Sequence, residues 1–239
     1  MVNPLSDGFA RRLPKITDWV FDLDNTLYPR HCDLFAQIDW KMTDYVAREL
    51  GLAKDKARIV QKQLYRTHGT TLRGLMDEHG VDPHHFIADV HDIDYSPVPE
   101  NPVLGDAISK LPGRKHIFTN GDVEHAKRTT DQLGISHLFD GVFDIVAADF
   151  VPKPAAEPYR QFLSDHDINP RTAIMFEDMP RNLMVPNALG MATVLVLPHP
   201  DSDHSAEGWE HQIDDHTTID HVTHNIDETL GAVVRLISD

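Results

Sequence analysis

The chain has little cysteine, little positive charge and no long apolar run. Its 239 residues contain one cysteine, Cys32, which excludes an internal disulfide and favours a reducing cytoplasm. No apolar stretch follows Arg11 and Arg12, so neither a signal peptide nor a membrane span is expected. Only 22 basic residues stand against 38 acidic ones, and the formal net charge of -16 argues against binding duplex nucleic acid through its phosphates. A small anionic substrate therefore needs a locally positive site.

Short apolar runs alternate with helical patterns along most of the chain. Runs end at Asp22, Thr119 and Asp178, and two more are GVFDIVAAD and MATVLVL. This alternation predicts an α/β fold with a doubly wound parallel sheet. Residues 16–28 and 98–239 are expected to form this core, and residues 1–15 are expected to be a loose N-terminal leader.

Residues 29–97 show helical periodicity and no strand signal, so they predict an inserted all-helical cap domain. Because the insert follows the first strand directly, it would lie over the active site and exclude water. Its apolar faces are expected to hold helix against helix. The polar residues His68, Thr70 and Arg73 are the candidates that reach the substrate.

The segment WVFDLDNTL carries the strongest functional signal, because two aspartates, Asp22 and Asp24, follow a buried strand. Ligands bind at this edge of open α/β sheets, so one carboxylate can attack while the other handles protons. Alone, the pattern D-x-D-x-T is also typical of a helix N-cap or a solvated turn.

Three further pieces follow in chain order, each at or just beyond a strand end: Thr119, Lys153 and the pair Glu177-Asp178. Two of them have a structural alternative, since a lysine is usually exposed at the surface and an acidic pair before Pro180 can cap a helix. Together with FDLDNT, the segments IFTNG, VPKP and MFEDMPRN resemble the haloacid dehalogenase superfamily of aspartate-nucleophile hydrolases, from about residue 16 to 200.

The resemblance implies a Rossmann-like core and a phosphoryl-transfer site. Asp22 would attack phosphorus to give an aspartyl-phosphate, and Asp24 would act as general acid and then general base. Lys153 would neutralise the phosphoryl oxygens, while the Thr119 hydroxyl and the backbone N–H groups of Asn120 and Gly121 would cradle the transferred group.

A carboxylate that approaches a phosphate dianion is repelled, so a divalent cation is expected, and the oxygen ligands at hand indicate Mg²⁺. The implied ligands are Asp22, the Asp24 carbonyl and Asp178, with Glu177 as a weaker candidate. Asn182 would support them.

Longer segments are similar to the bacterial and fungal pyrimidine 5'-nucleotidases: FDLDNTLYP, YRTHGTTLRGL, DVHDIDY and IFTNGDVEHAKRTTDQLGI. This similarity implies a small phosphorylated metabolite, a pyrimidine nucleoside monophosphate, as substrate. The chain departs from the family pattern at Met179 and Pro186. The sequence leaves a monomer and a homodimer open.

Other functions stay open at this stage: a phosphatase of other small esters, a phosphomutase, a 2-haloacid dehalogenase, and a catalytically silent metal-binding or interaction protein. The dehalogenase pattern D-x-Y-G-T is not met, because Asp24-Asn25 stands at the tyrosine-glycine position. A catalytically silent protein would have lost at least one catalytic residue, yet the nucleophile, the acid/base residue, the threonine, the lysine and the metal carboxylate are all present.

The segment from His199 to His224 holds six of the 16 histidines among many aspartates. A transition-metal site is possible on composition alone, but the spacing fits no helical i, i+4 pair, so a solvated surface arm is predicted. Residues 226–237 predict a terminal amphipathic helix that packs on the sheet.

Overall fold

A computed structural model describes residues 5–198 and 218–238, and its strands form one parallel sheet. The strand order is β3-β2-β1-β4-β5-β6, so the first strand lies in the middle. The strands are β1 (Asp18–Phe21), β2 (Arg114–Phe118), β3 (Gly141–Phe143), β4 (Ala173–Glu177), β5 (Ala192–Val196) and β6 (His221–Thr223). This order confirms the doubly wound α/β fold and brings the carboxyl ends of β1, β2 and β4 together.

Helices follow the strands on both sides. They are α1 (Asp7–Ala10), α2 (Leu34–Leu50), α3 (Lys54–His68), α4 (Thr71–His79), α5 (Pro83–Val90), α6 (Pro102–Ser109), α7 (Val123–Leu133), α8 (Ala156–Asp165), α9 (Pro180–Leu189) and α10 (Ile226–Ser238). None of these helices is long and apolar enough to cross a membrane.

The sheet is buried on both faces because consecutive strand residues point to opposite sides. Trp19 and Phe21 of β1 enter one apolar cluster, and Val20 between them enters the other. The Phe21 ring stacks on Phe176 of β4 at a centroid distance of 4.9 Å. Helix α10 packs on the first face through Leu230 and other apolar residues, as the terminal amphipathic pattern predicts.

Helices α2–α5 lie between β1 and β2 in the chain and pack around a third apolar cluster. Leu64 and Leu75 are buried in it, together with Phe86. Ile145, which follows β3, also packs into this cluster, so the helical insert contacts the sheet region directly. The domain boundary at residues 29–97 stays a prediction.

Two predictions about the periphery of the fold are wrong. Residues 5–15 are not a loose leader, because Phe9 and Leu13 are buried in the core and Phe9 stacks on His221 at 5.2 Å. The surface arm likewise does not extend through residue 223, since residues 221–223 form β6 beside β5. Both segments are too short to show a recognisable period. Residues 199–217 of the predicted arm lie outside the described residues.

Candidate active site

The carboxyl ends of three neighbouring strands carry the predicted site residues. Phe21 is level with Ile117 of β2 and with Phe176 of β4. Asp22 follows directly, and its backbone N–H donates to the Phe176 carbonyl at 2.9 Å. The chain therefore places Asp22 beside the ends of β2 and β4, where Thr119 and Glu177 lie.

Lys153 joins the strand ends. Its Nζ lies 2.7 Å from Asp22 Oδ1 and 2.7 Å from Glu177 Oε2, and it donates to the Phe118 carbonyl at 2.9 Å. Burial disfavours the ammonium form, but the charges of Asp22 and Glu177 outweigh burial and raise the pKa of Lys153 above its ordinary value. Lys153 is thus a buried cation, and the surface-lysine alternative is wrong.

Asn120 holds the Lys153 segment in place. The Asn120 Oδ1 accepts from the Lys153 backbone N–H at 2.9 Å, and the Asn120 amide donates to the Lys153 carbonyl at 3.3 Å. Next to it, Thr119 Oγ1 accepts from the Gly121 N–H at 2.9 Å. That N–H was predicted to cradle the substrate. It is bound by Thr119 instead, because the turn after β2 brings the two groups together.

Three buried carboxylates, Asp22, Glu177 and Asp178, each offer an oxygen within 4.8 Å of the others. Burial and mutual repulsion raise the pKa of Asp22 to about 7 and that of Asp178 to about 6. Burial also raises the pKa of Glu177 to about 7, although Lys153 opposes the rise. Arg30 offsets part of the charge through a 2.8 Å contact with Asp178. Clustered, buried oxygen donors of this kind fit a hard divalent cation.

Glu177 also has a structural role. Its second oxygen, Oε1, accepts from the Met179 N–H at 3.1 Å, just before α9 begins, and α9 itself has no side-chain cap. Glu177 therefore contacts both Lys153 and the residue just before α9, while Asp178 contacts Arg30.

Asp24 has a different environment. Its Oδ1 accepts from the Tyr28 hydroxyl at 2.5 Å and lies 2.8 Å from His125 Nε2. Burial alone would raise the pKa of Asp24, but the His125 charge and both hydrogen bonds outweigh burial and lower it. The same partnership raises the pKa of His125. Thr26 donates to Asp22 Oδ2 at 3.1 Å and so orders the loop.

A cavity of about 160 Å³ lies between the sheet edge and the helical insert. Asp24, Asn120 and Gly121 line it on the sheet side. The insert contributes apolar side chains, including Ile38 and Phe86, and polar ones. The polar ones are Asp39, Gln61, Lys62, Tyr65, Thr70, Thr71 and His91.

Of the three predicted insert residues, only Thr70 lines this cavity, and its hydroxyl also accepts from the Arg73 N–H as the N-cap of α4. Arg73 binds Asp77 one turn further along α4 at 2.8 Å. His68 lies 2.8 Å from Glu78. The expectation that His68 and Arg73 point into the cavity is wrong, because acidic residues on α4 hold them at a separate groove beside Pro152.

Sequence reasoning missed the partners of Asp24. Tyr28 lies inside the quoted FDLDNTLYP segment, four residues after Asp24. His125 lies in the first turn of α7, shortly after the TNG turn. Both residues lie in segments that were used for the family resemblance, but the sequence does not show that two residues so far apart contact the same carboxylate.

The fold and these strand-end carboxylates define a Rossmann-like hydrolase core, and comparison with known proteins gives the family. A model of the haloacid dehalogenase-like hydrolases matches residues 20–190, so the chain belongs to this family. The chain is 24% identical over 233 residues to phosphate metabolism protein 8 of Saccharomyces cerevisiae, covering 87% of this chain and 70% of that relative.

Solved structures agree on the fold. A HAD phosphatase from Thermococcus onnurineus superposes with a TM-score of 0.60 at 17% identity, covering 91% of this chain and 98% of that one. The L-2-haloacid dehalogenase from Xanthobacter autotrophicus gives a TM-score of 0.57 at 16% identity, covering 93% and 98%. Because a phosphatase and a dehalogenase share this fold, the site residues must decide between the two activities.

Proposed function

We propose that this hydrolase is a Mg²⁺-dependent phosphomonoesterase that forms an aspartyl-phosphate and acts on pyrimidine nucleoside 5'-monophosphates. The observation that carries the proposal is the contact between Asp22 and the buried cation Lys153, at 2.7 Å, with Asp24 two residues away on the cavity wall. A carboxylate nucleophile and a separate acid/base group are what transfer through a covalent intermediate requires.

In the first step an Asp22 oxygen attacks phosphorus, and the bond from phosphorus to the ester oxygen breaks. The phosphate dianion of the bound ester raises the pKa of the nearby Asp24 carboxyl, which then gives its proton to the departing oxygen, so a neutral nucleoside leaves. In the second step a water molecule gives a proton to Asp24 and attacks phosphorus. The bond between Asp22 and phosphorus breaks, inorganic phosphate leaves, and Asp24 is again protonated. Lys153 stays charged throughout and stabilises the phosphoryl oxygens.

The buried carboxylate cluster fits Mg²⁺, because its donors are all oxygens and their negative charges are only partly neutralised. Asp22, Asp178 and the Asp24 backbone carbonyl would hold the ion, and Glu177 would hold Lys153. The bound ion would supply positive charge that lets the phosphate approach Asp22.

Two of the alternatives, a dehalogenase and a catalytically silent protein, fit the site less well. A halide leaving group needs no proton, so a dehalogenase has no use for Asp24 as an acid or for three clustered carboxylates. A catalytically silent protein is disfavoured because nucleophile, acid/base group, cation and acidic cluster are all in place. A phosphomutase would use the same residues and differ only in keeping water from the intermediate.

The cavity supports a pyrimidine nucleotide among the possible esters. Its apolar walls suit a flat ring, and one group of polar side chains suits the edge of that ring. Asp39 Oδ1 lies 2.7 Å from the Gln61 amide and 3.2 Å from Lys62 Nζ, and all three line the cavity. The two donors can bind carbonyl oxygens of the base, and the carboxylate can accept from the uracil ring N–H or from the cytosine amino group.

Phosphate release from a panel tests this proposal: UMP, CMP, AMP, GMP, sugar phosphates and 2-chloropropionate, each with and without Mg²⁺. We expect UMP and CMP to have the highest kcat/KM and no turnover without Mg²⁺. Chloride release would favour the dehalogenase, and a preference for sugar phosphates would remove the nucleotide assignment.

Lys62→Met tests the recognition of the base. It should lower kcat/KM for UMP by about tenfold, a loss of about 1.4 kcal/mol, while sparing p-nitrophenyl phosphate. Lys41→Met is the matched control, because Lys41 is also on the insert but forms an ion pair with Asp92 away from the cavity. Equal losses on both substrates would contradict base recognition by Lys62.

A further inference from the structure

The hydrogen bonds to Asp24 converge on one of its two oxygens. The Tyr28 hydroxyl donates to Oδ1 at 2.5 Å, and His125 Nε2 lies 2.8 Å from the same atom. No described residue forms a hydrogen bond with Oδ2, and Asp24 lines the cavity. The carboxyl group is thus held by one oxygen, and the other has no hydrogen-bond partner among the described residues.

His125 is itself firmly placed. The side chain is fully buried, and its Nδ1 lies 3.0 Å from the Tyr95 hydroxyl. Its ring stacks on His91, at the end of α5, with centroids 4.5 Å apart and planes at 14°. His91 in turn contacts Asp122 at 2.7 Å.

The glycine of the TNG turn makes room for this ring. A Cβ at Gly121 would lie 3.0 Å from the His125 Cδ2 atom, closer than nine in ten real Cβ contacts. Packing, stacking and hydrogen bonding thus restrict the ring to one orientation, in which Nε2 points at Asp24. A group held this rigidly can fix the plane of the carboxyl group that it contacts.

We propose that His125, with Tyr28, is a positioning residue that fixes the Asp24 carboxyl group so that Oδ2 exchanges the proton with the leaving oxygen and then with water. The inference rests on the proposed phosphomonoesterase function and deepens it. His125 and Tyr28 keep their own protons in both steps. The proton moves from Asp24 Oδ2 to the leaving oxygen and returns to Oδ2 from water.

The test compares two substrates that differ in their need for an acid. UMP has a poor alkoxide leaving group, whereas p-nitrophenyl phosphate leaves with little protonation. The quantity kcat/KM covers the steps up to departure of the leaving group, so it isolates the acid role. His125→Leu should lower kcat/KM for UMP by about 100-fold and that for p-nitrophenyl phosphate by less than about threefold.

Conservative variants separate positioning from a structural role. His125→Gln places an amide donor near the position of Nε2, so it should recover kcat/KM for UMP to within about tenfold of the unmodified protein. Tyr28→Phe removes a single hydroxyl and should shift the ratio of the two substrates in the same direction, by about fivefold. The Tyr28→Phe variant keeps the inference testable if His125→Leu does not fold.

Two control variants carry matched changes elsewhere. His116→Leu removes another buried histidine, from β2, and Tyr45→Phe removes a hydroxyl bound to His85 on the insert. Neither residue lines the cavity, and neither variant should change the substrate ratio.

Equal losses on both substrates, or no loss with UMP, would overturn the positioning role. Asp24→Asn separates this failure from failure of the proposed function. If Asp24→Asn discriminates the two substrates and the His125 and Tyr28 variants do not, only the inference fails. If the unmodified protein hydrolyses neither ester, the proposed function fails.

Discussion

Removing the buried cation at Lys153 is expected to destabilise the protein in a way that depends on pH. Lys153→Met leaves Asp22 and Glu177 buried without the ammonium group that now lies 2.7 Å from each. Loss of one partner from a buried ion pair costs about 3–5 kcal/mol. For a chain of this length that cost corresponds to a fall in Tm of about 6–20 °C.

The pH dependence follows from the two carboxyl groups. Their pKa values are already raised to about 7 by burial, and loss of the cation raises them further. The folded variant then holds protons that the unfolded chain releases, so its stability falls as pH rises. The deficit against the unmodified protein should therefore grow from about pH 6 to about pH 8.

Thermal unfolding followed by circular dichroism, in buffer with a chelator, measures this deficit. Adding Glu177→Gln to Lys153→Met should recover more than half of the lost Tm at the higher pH, because one uncompensated carboxylate is gone. Lys127→Met is the control, since Lys127 forms an exposed pair with Asp131 and should change Tm by about 2 °C or less. A deficit that is small, independent of pH, or not relieved by Glu177→Gln would refute the reasoning.

Three further predictions concern the acid, the metal and a buried histidine. Asp24→Asn should lower kcat/KM for UMP by about 100-fold or more while affecting p-nitrophenyl phosphate far less, as measured by steady-state kinetics. Asp178→Asn should raise the Mg²⁺ concentration for half-maximal rate by about tenfold, because the cation loses an anionic ligand. His116 is buried, and burial lowers its pKa. The unfolded chain therefore binds a proton here more readily than the folded protein, and stability falls as pH drops below the ordinary histidine value of about 6.5. In His116→Leu, Tm should therefore fall less steeply between about pH 6.5 and 5.5. The corresponding difference in unfolding free energy is up to about 1.4 kcal/mol.

A specific result would contradict each of these three predictions. Equal losses on the two esters would remove the acid role of Asp24, and an unchanged Mg²⁺ dependence in Asp178→Asn would shift the ligand role to Glu177. An unchanged slope of Tm against pH in His116→Leu would mean that other groups cause the acid sensitivity.

The strand ends could be predicted from sequence because buried parallel strands are short apolar runs with polar residues at their carboxyl ends. Asp22, Thr119 and Glu177 were placed together on that ground alone, since a parallel sheet brings such ends to one edge. Lys153 was predicted just beyond the strand in GVFDIVAAD, but β3 ends at Phe143, so no strand leads directly to Lys153.

The errors have a common physical cause, which is that local sequence does not determine side-chain contacts. Arg73 was expected in the cavity, but Asp77 one helical turn away is a nearer partner. Phe9 and the strand residue His221 are buried against each other, although more than two hundred residues separate them in the chain. No periodic pattern can appear in segments of three or four residues.

The most direct test of the account is to trap the covalent intermediate at Asp22. The protein is mixed with UMP and Mg²⁺, quenched in acid within one turnover, digested and analysed by mass spectrometry. We expect a phosphoryl group on the peptide that contains Asp22, and its absence in Asp22→Asn. Full phosphatase activity in Asp22→Asn, or a phosphoryl group on another residue, would contradict it.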